Sequence, residues 1–316
     1  MNPESQTANT KATYHTVTVD GLDLFYREAG TPQRPAVLLL HGFPTSSHMY
    51  RELIPMLATD YHVIAPDYPG FGQSSAPDAA EFAYTFDHLA EIMESFLKHI
   101  GCTRFALYMQ DYGSPVGFRI AEKHPEWVSA LLLQNANAYV EGINMEAFAP
   151  VQPFWAKRTK ETEAPVRGFL AAGTTKFQYT HGTRNPSAIS PDNWLHDQTL
   201  LDRPGNDRIQ LALLHDYQNN IPRYEGWQAY LRLHQPPTLI TWGKNDPFFT
   251  EAGARAYLRD LPKAELHLFD TGHFALEEDG PAIAALILDF LGRLPTPIVV
   301  GVTDATSATL TKTQAG

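Results

Sequence analysis

The chain has 316 residues, 43% of them hydrophobic, with a formal net charge of −11 and one cysteine. That length accommodates one large or two modest domains with a sizeable core, and an acidic balance without long acidic blocks argues against nucleic acid and anionic membranes as partners. A single cysteine, Cys102, excludes an internal disulfide and a cysteine-built metal centre.

The first dozen residues are polar, carry no basic region followed by an apolar stretch, and read as a disordered N-terminus (1–12) without a secretory signal. With no apolar run near the length of a membrane span, the expectation is a soluble, cytoplasmic protein. Residues 14–19 and 22–26, around Asp20-Gly21, read as a β-hairpin. Ala36-Val37-Leu38-Leu39-Leu40 is a continuous apolar run, as expected of a strand buried on both faces, and it ends in His41-Gly42-Phe43-Pro44. One helix is expected next, capped by Thr45 or Ser46, with Met49, Leu53, Met56 and Leu57 on its inner face. A strand at 61–65 runs into Asp67-Tyr68-Pro69-Gly70-Phe71-Gly72-Gln73-Ser74. No Gly-Lys-Ser/Thr follows this glycine-rich loop, which argues against nucleotide binding. Residues 85–100 form an amphipathic helix with Leu89, Ile92, Met93, Phe96, Leu97 and Ile100 on one face.

The apolar run Phe105-Ala106-Leu107-Tyr108 then enters Met109-Gln110-Asp111-Tyr112-Gly113, followed by a helix. Strand, tight turn and helix make the layout of a nucleophile elbow, here with Asp111 at the apex in place of Ser. A carboxylate of ordinary pKa is ionised at neutral pH and needs no base to attack. Attack on a saturated carbon gives an ester that water can reopen, whereas a serine would end as an ether. The chemistry implied is opening of a carbon–halogen or carbon–oxygen bond.

A strand at 128–133 follows. From 138 to 235 the pattern changes to aromatic, Pro and charged residues without a buried strand, which reads as a helical lid. Strands return at 237–242 and 264–269, with helices at 250–260 and 281–293 and a flexible tail from 295, in which Ile298-Val299-Val300 could dock. The alternation of strands and helices predicts an α/β fold with a mostly parallel sheet flanked by helices, its core formed by 13–137 and 236–294.

Asp111, Asp246 and His273 each follow a predicted strand, so one sheet edge gathers all three. Singly, Asp246 in Asn-Asp-Pro reads as a turn former and His273 as a surface residue. Together they occur in the chain order nucleophile, acid, base.

These motifs resemble the α/β-hydrolase family, and within it the epoxide hydrolases and haloalkane dehalogenases, over residues ~14 to ~293. The resemblance implies eight strands with the lid inserted after the sixth. It makes Asp111 the nucleophile, His273 the base that activates water, and Asp246 its orienting partner. The backbone N–H groups of Phe43 and Tyr112 would form the oxyanion hole, with a cis Phe43–Pro44 bond. Neither cofactor nor metal is implied, and the substrate would be a small apolar molecule plus water.

Leaving-group contacts fall on the lid. Tyr217 lies where the second lid tyrosine of epoxide hydrolases is expected, and Phe154-Trp155 stands near the place of the first. Tyr112 has no indole N–H where many dehalogenases carry Trp. A Trp155 N–H beside a Tyr217 O–H nevertheless resembles the halide pocket of fluoroacetate dehalogenases, although the carboxylate-clamping arginines of those enzymes have no match. Other lid aromatics (Tyr139, Phe148, Phe177, Tyr179, Trp194, Tyr224, Trp227 and Tyr230) form an apolar roof or the lid's own core. An epoxide hydrolase is favoured. Alternatives are a haloalkane dehalogenase-type hydrolase, a biosynthetic hydrolase or cyclase with the same triad, and a non-catalytic ligand-binding relative.

Overall fold

The computed structural model describes residues 10–295. The tail, with Ile298-Val299-Val300, and all but the last residues of the expected N-terminal segment lie outside that range. Eight strands form one sheet: β1 (Thr13–Val19), β2 (Leu22–Ala29), β3 (Ala36–Leu40), β4 (His62–Pro66), β5 (Phe105–Gln110), β6 (Val128–Gln134), β7 (Thr238–Gly243) and β8 (Glu265–Phe269). Their order is β1-β2-β4-β3-β5-β6-β7-β8. β2 runs antiparallel to β1 and β4, and all other neighbours are parallel.

The apolar run of β3 shows why the sheet is covered twice. Val37 and Leu39 face one core, shared with α1 (Leu53–Leu57) and the closing helix at 275–292. Leu38 and Leu40 face the other, shared with α2 (Phe86–His99) and α3 (Gly113–Lys123). Alternate residues of a strand point to opposite faces, so an unbroken apolar run needs helices on both. Thr85 caps α2 by accepting the His88 N–H.

Two expected helices differ. The single helix after β3 is a 3-10 turn, Ser47–Tyr50, capped by Ser46, and then α1. Pro55 has no N–H to offer the preceding turn, which divides the segment. The closing helix starts at Ala275 rather than 281, with a non-helical Asp279 two residues before Pro281. Pro281 reads locally as a helix start, but the turn before it is helical too.

Between β6 and β7 the described chain holds α4 (Gln152–Ala156), α5 (Lys160–Val166), α6 (Ala172–Thr180), α7 (Pro191–Leu201), α8 (Asn206–Asp216) and α9 (Tyr224–His234), with short 3-10 turns and no strand. The sheet is completed by α10 (Glu251–Asp260) and α11 (Ala275–Gly292). No described helix is long and apolar enough to cross a membrane.

Candidate active site

The sheet's C-terminal edge is where the side chains converge. Asp111 follows β5 directly, with a left-handed φ of 49°, and its carbonyl accepts the Ser114 N–H at 2.9 Å as α3 begins. The turn is this tight because two neighbours lack side chains. A Cβ on Gly42 would come within 2.3 Å of the Asp111 Cβ, and one on Gly113 within 2.2 Å of the Leu40 carbonyl oxygen. The loop after β3 thereby presses onto the elbow. The Phe43 N–H donates to Asp111 Oδ1 at 2.7 Å, and the Tyr112 N–H lies close enough to stabilise the charged carboxylate. The Phe43–Pro44 bond is cis, as the resemblance implies.

Across the edge, His273 Nδ1 lies 2.7 Å from Asp246 Oδ2, and both side chains are almost wholly buried. Asp246 Oδ1 accepts the Phe248 and Phe249 N–H groups at 2.7 and 3.1 Å. With Nδ1–H given to Asp246, His273 Nε2 carries the lone pair, and the Gln110 amide nitrogen donates to it at 2.9 Å.

Electrostatics set the protonation states. Burial pushes the Asp111 carboxyl up to about 6, against the downward pull of His273 and of the Phe43 and Tyr112 N–H groups. This corrects the expectation of an ordinary carboxylate pKa, because an apex buried beneath residues of the segment between β6 and β7 loses hydration. Burial pulls the His273 pKa down, but Asp246 and Asp111 together carry it above the usual histidine value.

A small cavity of about 30 Å³ sits over Asp111 and His273. Its remaining walls are Phe43 and Tyr112 from the floor, Phe248 and Phe249 beside His273, and Phe148, Phe169, Gln178, Leu214 and Tyr217 from the lid segment. Tyr217 is fixed on both sides: Asp216 Oδ2 accepts the Phe86 N–H at 2.8 Å, and Asn220 Oδ1 accepts from Arg119 at 2.9 Å. Tyr224 stands close enough to Tyr217 to affect its ionisation, and the Tyr224 hydroxyl accepts from Asn137 Nδ2 at 3.3 Å. Burial pushes the Tyr217 pKa well above its ordinary value, so the hydroxyl keeps its proton.

Trp155 does not meet its expected role. Its indole N–H donates to the Leu214 carbonyl at 2.7 Å, its ring stacks behind Tyr217, and it lies outside the cavity wall. Phe154 packs against His215. Of the other lid aromatics named from the sequence, only Phe148 lines the cavity. Tyr139, Tyr179, Trp227 and Tyr230 are buried elsewhere, and Phe177 is on the surface.

Sequence reasoning passed over Asn135. At the end of β6, with φ 46°, its amide donates to Asp246 Oδ2 at 2.8 Å and accepts the Gly243 N–H at 2.9 Å. Gln134 donates to the His273 carbonyl at 2.9 Å. Asn135 sits on β6 just where Asp111 sits on β5, one residue past the end of a buried strand, and Gln134 pairs with Gln110; that position was the available signal. The glycine-rich loop proves to be wrapped on its own Asp67, which accepts the Ser47 and Gln73 N–H groups at 2.7 and 2.8 Å. A Cβ on Gly72 would lie 1.8 Å from that carboxylate.

A carboxylate on a strand–helix elbow, facing a His–Asp pair across the C-terminal edge of a parallel sheet, defines a hydrolase-type site. The chain belongs to the alpha/beta hydrolase fold family, which residues 35–280 match. It is 41% identical over 291 residues to an uncharacterized hydrolase, YNR064C, of Saccharomyces cerevisiae, covering 90% of this chain and 99% of that one. It is 27% identical over 283 residues to a haloalkane dehalogenase of Mycobacterium marinum, covering 85% and 89%. The solved structure of the epoxide hydrolase CorEH superposes with a TM-score of 0.74 at 19% identity, covering 89% of this chain and 99% of that one, a likeness of fold.

Proposed function

We propose that the protein opens a carbon–oxygen bond of a small apolar epoxide through a covalent ester on Asp111. One observation carries this reading: Asp111 and Tyr217 line the same small cavity, and His273, paired with Asp246, stands in its wall. In the first step a carboxylate oxygen bonds to an epoxide carbon and the ring C–O bond breaks. The departing alkoxide takes the Tyr217 proton, and Tyr224, held by Asn137, supports the phenolate that remains. In the second step His273 Nε2 takes a proton from water as the oxygen adds to the ester carbonyl. The Phe43 and Tyr112 N–H groups hold the resulting oxyanion; its collapse expels the second diol oxygen, which takes the remaining hydroxyl proton and leaves Asp111 as carboxylate, and the proton on His273 returns to the Tyr217 phenolate. Esterification removes the Asp111 charge that helps hold the His273 pKa up, so the base is freed when water must be activated.

The second reading is halide release from a haloalkane, favoured by the dehalogenase similarity. A panel of small epoxides and haloalkanes separates the two: diol formation without halide supports the first, and halide release without epoxide turnover overturns it in favour of the second.

A pH profile tests the nucleophile. Asp111 attacks only when ionised, so kcat/KM falls as pH drops through about 6. The kcat profile instead reports His273 in the ester, where the base has lost one raising charge. An acid limb of kcat/KM near the ordinary aspartate value, about 4, would count against a desolvated Asp111.

Substrate size follows from the walls. About 30 Å³ holds roughly two waters. An outer cleft of about 780 Å³ shares Phe169 and Phe248 with the cavity. Phe169→Ala should join the two spaces and lower KM for six-carbon epoxides by about tenfold relative to three-carbon ones, the scale of one or two buried methylenes. An unchanged chain-length preference in steady-state kinetics would remove Phe169 as the barrier.

A further inference from the structure

Gln178, on α6, is 3% exposed and lines the cavity, yet its amide nitrogen has no hydrogen-bond partner. Buried donors are nearly always satisfied, and one left open on a residue that lines the same cavity as Asp111 marks a place for something that arrives later. The polar side chains on this cavity are Asp111, Tyr112, Gln178, Tyr217 and His273. Asp111 and His273 have roles on the floor. The Tyr112 hydroxyl is also unpartnered, but its residue belongs to the elbow beside Asp111 and its ring is wedged among Phe43, Phe71, Phe86 and Tyr217. That leaves Tyr217 and Gln178 as the polar groups of the roof.

Displacement at a saturated carbon is collinear. The nucleophile enters from the floor and the departing atom leaves toward the roof. Resting on the ester reading above, we infer that Gln178 is a leaving-group donor whose amide N–H holds the departing atom, an alkoxide oxygen or a halide, alongside the Tyr217 O–H. An amide gives up no proton at working pH, so Gln178 stabilises developing negative charge and leaves proton transfer to Tyr217. It thus supplies the second roof contact, the role for which Trp155 is unavailable.

The test isolates the first step. In a His273→Gln background, growth of the Asp111 adduct is followed by intact-protein mass with 1,2-epoxypropane, chloroethane and iodoethane. Gln178→Met keeps the length of the side chain and removes the donor. Adduct formation should slow by about 10- to 100-fold with the epoxide and the chloride. With iodide, a large anion that departs with little help, the loss should be several-fold smaller, and Tm should stay within a few degrees. Gln178→Glu should slow adduct formation at pH 8 more than Gln178→Met does, because its charged form repels the departing anion. Equal losses for chloride and iodide, or no loss, overturn the inference while leaving the ester reading intact. Absence of an adduct with all three probes in the parent overturns both.

Discussion

Asp111→Ala is expected to abolish turnover, a loss of about four orders of magnitude, the scale seen when a nucleophile is deleted from a site whose groups act as a unit. The reason is geometric as well as chemical. Phe43 and Tyr112 point their N–H groups at this carboxylate, and no other carboxylate lines the cavity. The same residue carries an opposite prediction for stability. Its folded pKa, about 6, lies above the ordinary 3.8, so the folded protein holds the proton more tightly than the unfolded chain. Stability is therefore lost as pH rises from about 4 through 6, and stays lower above. Asp111→Asn, which keeps the shape and removes the charge, should raise unfolding free energy at pH 8 by up to about 3 kcal/mol, roughly two pKa units at 1.36 kcal/mol each. The gain should shrink toward zero near pH 4 in denaturant titrations. An Asn variant no more stable than the parent at pH 8 would contradict the desolvated Asp111.

His273→Gln should stop the reaction at its midpoint. The first step needs Asp111 and the roof donors and should stay within about tenfold of the parent. The second needs the Nε2 lone pair and should fall by about three orders of magnitude, the range of general-base catalysis. One equivalent of substrate is then consumed, and the intact protein gains its mass, or for a haloalkane the mass of its alkyl group less one hydrogen. Peptide mapping should place the adduct on Asp111. Continued multiple turnover without an adduct would rule out a histidine-dependent ester. Asp246→Asn should show a weaker version of the same stall, because the Phe248 and Phe249 N–H groups still hold one end of that side chain while the other, now a donor, no longer accepts from His273 and Asn135.

What the sequence disclosed follows the reach of local physics. The unbroken apolar runs of β3 and β5 require helices on both faces, and strand ends carrying Asp111, Asp246 and His273 require convergence at one edge. Those are properties of the chain within a few residues. The lid was legible as helical and no further. Whether Trp155 offers its N–H to the cavity depends on where the Leu214 carbonyl lies, 59 residues on, and no pattern near Trp155 records it. Gln178 was invisible for the complementary reason: a lone glutamine in Phe-Gln-Tyr has no periodicity, and its meaning comes from lacking a partner. The ionisation of Asp111 likewise depends on water excluded by residues more than thirty positions away, such as Phe148 and Tyr217.

The segment from Met145 to Phe177 differs from the rest of the lid in how it is tied down. Residues 182–193 are bolted to the closing helix by Arg184–Asp279 and Asn193–Glu277, and 208–220 to the core by Arg208–Asp78, Asp216–Phe86 and Arg119–Asn220. Among the described residues, the hydrogen bonds and ion pairs of 145–177 stay within the lid, as in Trp155–Leu214, Arg167–Asp207 and Thr175–Gln198. This flap carries Phe148 and Phe169, so swinging it outward would unseal the chamber without breaking a polar contact to the sheet-bearing body. Passage of substrate and product is then a matter of unzipping greasy contacts, and its rate should respond to temperature and to chaotropic salts more than to ionic strength.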